Sequence, residues 1–336
     1  MDLILLEDND LQDIFDIINS FQIVFHPYYL KEGKFKHYDE FLRNKKDKII
    51  LLDRNMVSLI FDYFKYGKLK SEQNMVMILC FLLYCNVNRL QYNVGIAMNE
   101  YAEFQENKEV VNQLNEVLTF LSEIPSMKLM YHLKSGNYEM TPIKIPIKFQ
   151  RHYNYKFKSD YYLLSYCCVL KMSEIFLKKE LSKKEKILQY LEWHYDNLEI
   201  SKYDITYAIL LLTNYPKLKA PKNINSSYDK FIKGCRNQAW DISYLTIMNN
   251  FQQNTSEYEY FFATNDSNLK LVFMACNFFE NSWVDIIRDR LSKKDSNEIL
   301  DFIEEKMKNR VKPDCSKERL IRLADKLEEE YKNINE

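Results

Sequence analysis

Four consecutive apolar residues, Ile49-Ile50-Leu51-Leu52, end abruptly in Asp53, after which Arg54 and Asn55 lead into a helical pattern. Successive side chains of a strand point to opposite faces, so an unbroken apolar run needs cover on both sides. The run therefore predicts a buried strand over 48–53 in a sheet with helices on its two faces. An acid at the carboxyl end of such a strand stands where open α/β sheets place their ligands. The rest of the chain agrees with this class. Only 5 Gly and 7 Pro among 336 residues leave little turn punctuation for a β-sandwich or barrel. The length suffices for a substantial core in one large domain or two modest ones.

A net charge of −1 gives no global basic field, so any nucleic-acid site must be a local patch. The 7 cysteines lie mostly in apolar helical runs and form no C-x-x-C pair, which suits free thiols in a reducing cytosol better than disulfides or zinc. The five histidines show no metal-ligand spacing and read as structural or surface groups. The opening MDLILLEDND carries acids where a signal peptide has basic residues, and the apolar window at 75–87 is too short to span a bilayer. The expectation is a cytoplasmic protein without membrane association. No G-x-G-x-x-G, P-loop or G-x-S-x-G occurs, so dinucleotide, NTP and serine-hydrolase chemistry lacks support.

Helical patterns are predicted at 11–21, 57–66, 73–86, from about 94 through Glu100, Glu103 and Glu106, and at 109–122, where Val110, Leu114, Val117 and Leu121 recur at helical spacing. Three prolines and a Ser-Gly-Asn turn make 124–158 a loop-rich excursion with a short extended piece at 143–147. Helices resume at 160–177, 183–195, 203–213 and 228–250. The aromatic run at 258–263 reads as a strand, 268–276 as a helix, 282–287 as a last short strand, and 296–309 and 316–333 as charged helices.

Four polar stretches occur in a telling order: a strand ending in Asp53, a helix bearing Asn99-Glu100-Tyr101, a helix opening with Ala239-Trp240-Asp241-Ile242-Ser243, and a strand followed by Thr264-Asn265-Asp266. This order resembles the PIN-domain (PilT N-terminus-like) metal-dependent nucleases. In that family an acid ends the first strand, a glutamate lies on an early helix, an aspartate opens a later helix, and a T-x-D/N turn follows the next strand. The resemblance covers about a third of the chain and implies an α/β fold: a PIN-like core with a small central parallel sheet flanked by helices. It divides the chain into an N-terminal extension at 1–46, a core at 47–106 and 235–290, a mostly helical insertion at 107–234, and C-terminal helices at 291–336.

The resemblance further implies that Asp53, Glu100, Asp241 and Asp266 form the catalytic, metal-holding set, with Asn55, Thr264 and Asn265 in support; Arg236, about one turn before Asp241, suits contact with a scissile phosphate or, equally, a surface salt bridge. Glu103, one turn from Glu100, is an alternative site glutamate. Converging carboxylates repel one another unless cations are present, and hard oxygen ligands select Mg²⁺ or Mn²⁺. The implied reaction is hydrolysis of RNA phosphodiesters to 3′-hydroxyl and 5′-phosphate ends, in the manner of a toxin or phage-defence effector with an inhibitor or defence-complex partner. An oligomer is compatible with this. Basic and aromatic residues interleave at 148–158, where Lys148, Arg151, Tyr153, Tyr155 and Lys156 suit phosphate contacts and base stacking or, equally, a core-facing connector. Two other readings stay open: a structure-specific DNA nuclease using the same acids, and a non-catalytic helical interaction protein whose acids are caps and surface charges.

Overall fold

The computed structural model describes residues 8–27, 30–31, 34–35, 46–144, 146, 155, 159–254, 257–277 and 283–335. The fold is mixed α/β and mostly helical, and the chain divides into two compact units: Met1–Phe157 with Met248–Asp266, and Lys158–Ile247 with Ser267–Glu336. These boundaries differ from the expected ones. Residues 1–46 and 107–157 belong with the strand bearing Asp53, and 158–234 with 267–336.

The first unit contains α1 (Asp8–Phe21), β1 (Val24–Phe25), a small hairpin β2 (Leu30–Lys31) and β3 (Lys34–Phe35), then β4 (Asp47–Leu52), α2 (Arg54–Tyr66) and α3 (Glu72–Val87). It continues with β5 (Gln91–Asn93), α4 (Gly95–Tyr101), α5 (Asn107–Glu123), α6 (Ser126–Ser135) and β6 (Tyr258–Ala263). The sheet order is β1-β6-β4-β5. Parallel registers pair Ile49 with Gln91 and Tyr260, and Leu51 with Asn93 and Phe262. The outer strand β1 runs antiparallel, with Val24 opposite Ala263. The sheet is thus mixed, not purely parallel as expected.

Ile50, Leu51 and Leu52 are fully buried. Because neighbouring strand residues face opposite ways, the sheet is covered on both sides at β4. After β4 the chain crosses to β5 on one side, whereas β6 flanks β4 on the other. Such a reversal opens a crevice beyond the carboxyl ends of the strands.

Local chemistry sets the helix bounds. Asp53 caps α2 at its start, and Gly67, in the left-handed region, ends it. Ser71 caps α3, whose ten buried residues leave almost no polar face. Two expectations fail in this unit. The loop-rich stretch at 124–158 contains α6, whose Pro125 and Gly136 are its boundaries and not signs of disorder. The helix expected to carry Glu100, Glu103 and Glu106 stops at Tyr101, and Glu106 occupies the cap position of α5. The described part of 143–147 contains no strand.

The second unit is helical: α7 (Asp160–Leu177), α8 (Lys183–Asn197), α9 (Lys202–Leu212), α10 (Tyr228–Asn254, whose last residues belong to the first unit), α11 (Ser267–Asn277), α12 (Trp283–Arg290), α13 (Lys293–Asn309) and α14 (Lys317–Asn335). The strand expected at 282–287 is helix α12 where described. A buried α9 packs against α7, α8, α11 and α12, and α14 lies along α7. Glu328 of α14 accepts hydrogen bonds from Tyr166 (2.5 Å) and Tyr228 (3.1 Å). The Tyr331 ring stacks on Phe231 at 3.6 Å. Six of the seven cysteines are buried and all seven are free thiols. Among the described residues, no helix is long and apolar enough to cross a membrane.

Candidate functional site

The site is built on the carboxyl ends of β4 and β6. The Asp53 backbone N–H continues the ladder by donating to Ala263 O at 3.1 Å, which fixes the residue beside the end of β6. Its Oδ1 accepts the Met56 N–H at 2.7 Å, the N-cap bond of α2. Its Oδ2 accepts the Thr264 hydroxyl at 2.5 Å. Thr264 is itself held from two directions: its N–H donates to Ile23 O at 3.0 Å, and its Oγ1 accepts the Asp266 N–H at 2.9 Å. One threonine thereby couples strand β1, the Asp53 carboxylate and the turn that carries Asp266.

The electrostatics of this arrangement are costly. Asp53 is only 2% exposed. Burial pushes its carboxyl up to about 7, against the opposing pull of the Thr264, Met56 and Asn55 hydrogen bonds, and the charge of Asp266 pushes it further. A cap needs one carboxylate oxygen and tolerates water. Here the carboxyl group is buried beside a second acid.

Glu100 lies half-buried on α4. Its neighbour Tyr101 carries the guanidinium of Arg54, the residue after Asp53, 3.7 Å from its ring centroid. Arg54 also donates to Gln113 Oε1 at 2.5 Å. The start of α2, the end of α4 and the middle of α5 are thus tied together beside Asp53. Sequence reasoning passed over Arg54, although its place directly after the acid was a usable signal. Asn55 and Asn265 are exposed.

Asp241 does not open a helix as expected: it is half-buried in the middle of α10 in the second unit, whereas Asp53, Glu100 and Asp266 belong to the first. Arg236, also in the second unit, pairs with Glu328 at 3.5 Å and donates to Tyr166 Oη at 3.4 Å. Lys148, Arg151, Tyr153 and Lys156 lie outside the described residues. Tyr155 is described, and its backbone N–H donates to Asn107 Oδ1 at 2.9 Å.

Among the described residues, no three His, Cys, Asp or Glu side chains stand together as a metal cluster. The donor set at Asp53 and Asp266 is a pair of carboxylates. That suits Mg²⁺, which keeps several of its waters and is commonly held by one or two carboxylates together with substrate phosphates. Each Asp53 oxygen retains a lone pair beyond the hydrogen bond it accepts.

A second polar cluster lies inside the second unit, where Cys168 Sγ is 3.5 Å and Tyr190 Oη 3.3 Å from His194 Nδ1. All three are buried; burial holds His194 down at about 3 and drives the Cys168 thiol well up. A neutral thiol beside a neutral imidazole is not an activated nucleophile.

Replacing Thr264 by Val tests how the Asp53 carboxyl is held. The substitution keeps the shape, deletes the donor to Oδ2 and removes the Oγ1 that accepts the Asp266 N–H. The expected loss is about 1.5–3 kcal/mol of stability. Because the Thr264 bond favours the ionised carboxyl, the loss should be larger at pH 8.5 than at pH 5, as read by thermal unfolding. Equal losses at both would show that the hydroxyl does not serve the carboxyl group.

No family model, no curated protein and no solved structure matches this chain.

Proposed function

We propose that the first unit is a PIN-like core carrying a Mg²⁺- or Mn²⁺-dependent nuclease site, that its substrate is RNA, and that it acts in the cytoplasm. One observation carries the reading. A buried carboxyl group at the strand-order reversal of an α/β sheet is held by a threonine from the neighbouring strand end and repelled by a second acid on the same turn. A structural cap does not require that cost. A cation between two carboxylates offsets it.

When bound, the cation supplies an activated water and neutralises charge on the phosphodiester. Asp53 and Asp266 would hold it, with Glu100 of the same unit completing the acidic set in this proposal. Thr264 fixes the Asp53 carboxylate in one orientation and ties it to the Asp266 turn. Arg54 is stacked on Tyr101 and bonded to Gln113, so it braces the start of α2 directly after Asp53.

The rival with a specific observation behind it is the non-catalytic reading, since Asp53 does cap α2. Incubating the whole protein with single-stranded RNA and Mn²⁺ separates the two. Cleavage that chelation stops, leaving 5′-phosphate ends, is the expected result. Cleavage confined to flapped or branched DNA would replace RNA with DNA as substrate. Absence of cleavage on either, with the protein folded and metal present, would favour the rival.

A further inference from the structure

A cavity of about 480 Å³ opens in the first unit beside β5, the strand that ends the sheet. Pockets of this size hold small organic ligands. Its apolar lining comes from Ile49 of β4 and from Leu114 and Leu118 of α5. Its polar lining consists of side-chain amides, Gln91 and Asn93 on β5 and Asn99 on α4, with two tyrosines completing it. Among the described residues, no Asp, Glu, Lys, Arg or His lines it. Recognition by these residues rests on apolar contact, an aromatic face and amide hydrogen bonds.

Those amides are set for a ligand. Asn93 Oδ1 accepts the Gly95 N–H at 3.0 Å, which pins the amide and leaves its NH₂ to donate. The side-chain amides of Gln91 and Asn99 carry both donors and acceptors. A flat, neutral heterocycle with donors and acceptors along one edge matches such a lining, because its faces meet the leucines and tyrosines while its edge meets the amides.

The register relates this cavity to the acids. Asn93 pairs with Leu51, two residues before Asp53 on the adjacent strand. With a strand rise of roughly 3.3 Å per residue, Asn93 lies about 7 Å along the strand direction from the level of Asp53. Ile49, Leu51 and Asp53 follow strand alternation, so the cavity-lining side of β4 leads towards the acid.

The geometry points to this cavity as the binding site for an unpaired nucleobase of a single-stranded nucleic acid, with the adjoining backbone directed towards Asp53 and Asp266. This rests on the nuclease reading for the identity of the ligand, but its test does not require catalysis. The whole protein is titrated with the four ribonucleosides, which lack phosphate, and binding is followed by amide NMR shifts or tyrosine fluorescence.

At least one nucleoside should bind at millimolar concentration or tighter. Asn99→Ala should weaken it about tenfold, and Leu118→Trp, which fills the cavity, should abolish it. Asp53→Asn should bind as the wild type does, so a failed cleavage assay and a failed binding assay are separate results. Absence of a shift with all four nucleosides overturns the proposal. So does unchanged affinity in Asn99→Ala, or a neutral monosaccharide that competes equally well for the pocket.

Discussion

Asp53→Asn is expected to abolish metal-dependent cleavage and, in metal-free buffer at pH 8, to raise the melting temperature. The carboxyl group has an unfolded value near 3.8 and a folded value of about 7, raised first by burial and then by Asp266. The sign follows directly. Below pH 3.8 both states are protonated and the group has no effect. Between 3.8 and about 7 the unfolded state ionises while the folded state holds its proton, so stability falls. Above about 7 both are ionised and the deficit is constant. Its size is on the order of 4 kcal/mol as an upper bound.

Asn is isosteric, and its Oδ1 can still accept the Met56 N–H. It forfeits the accepted Thr264 bond, so a gain of about 1–2 kcal/mol at pH 8 is expected, with none at pH 3.5. Saturating Mn²⁺ should reverse the ranking. Metal binding to the folded wild type adds about 2.7 kcal/mol at a hundredfold excess over Kd, and the Asn variant lacks that gain. Loss of activity with gain of stability is what distinguishes an acid kept for chemistry from one kept for folding. Wild-type cleavage by the variant would end the metal-site reading. A lower melting temperature at pH 8 without metal would mean that the cap bond outweighs the buried charge.

Much of this architecture was legible because the signals are local and periodic. The bounds of α7 at 160–177 and of β6 at 258–263 follow from continuous apolar runs, the former opened by the Ser159 cap. Asp53 and Thr264 stood out as polar residues closing apolar strands, and the structure joins them through a hydrogen bond across 211 positions. Nothing in either segment encodes that register, which depends on how β4 and β6 pair.

The elements that escaped detection lack the bulk that makes a pattern. Gln91–Asn93 is a three-residue edge strand, polar and half-exposed, so its alternation has no apolar phase to read. Val24–Phe25 contributes two residues. In α6 the Pro and Gly that suggested a loop lie at its two ends, where a helix tolerates them. In α12 the aromatic and β-branched Trp283, Val284, Ile286 and Ile287 imitate a strand within an amphipathic helix. Asp241 illustrates a different limit: motif order along the chain assigns it to the acidic set, whereas compactness assigns it to the other unit.

The largest purely structural effect is expected from Gly67→Ala. Gly67 ends α2 at φ +76°, donates its N–H to Tyr63 O at 2.9 Å, and accepts the Met140 N–H at 2.8 Å. The Ile143 N–H donates to Phe64 O at 2.9 Å, and Tyr63 Oη donates to Tyr138 O at 2.6 Å. The irregular segment around 138–143 is therefore docked by hydrogen bonds onto the end of the helix that Asp53 begins. A Cβ on Gly67 would lie 2.0 Å from Met140 O, a backbone atom that cannot swing aside. Left-handed backbone costs an L-residue about 1–2 kcal/mol, and displacing the docked strap adds a comparable amount. The total, on the order of 2–4 kcal/mol, corresponds to a fall of roughly 10 °C in the melting of this unit.

Gly136→Ala is the internal control. Gly136 shares the left-handed backbone, at φ +67°, but a Cβ there meets nothing within 4 Å. It should lose only the backbone contribution, about 1–2 kcal/mol. The difference between the two variants isolates the contact with Met140, and limited proteolysis should show new cleavage near 138–143 in Gly67→Ala alone. If the two glycines prove equally tolerant of alanine, the strap is not held by Gly67. The end of α2 would then be free to move independently of the segment docked on it.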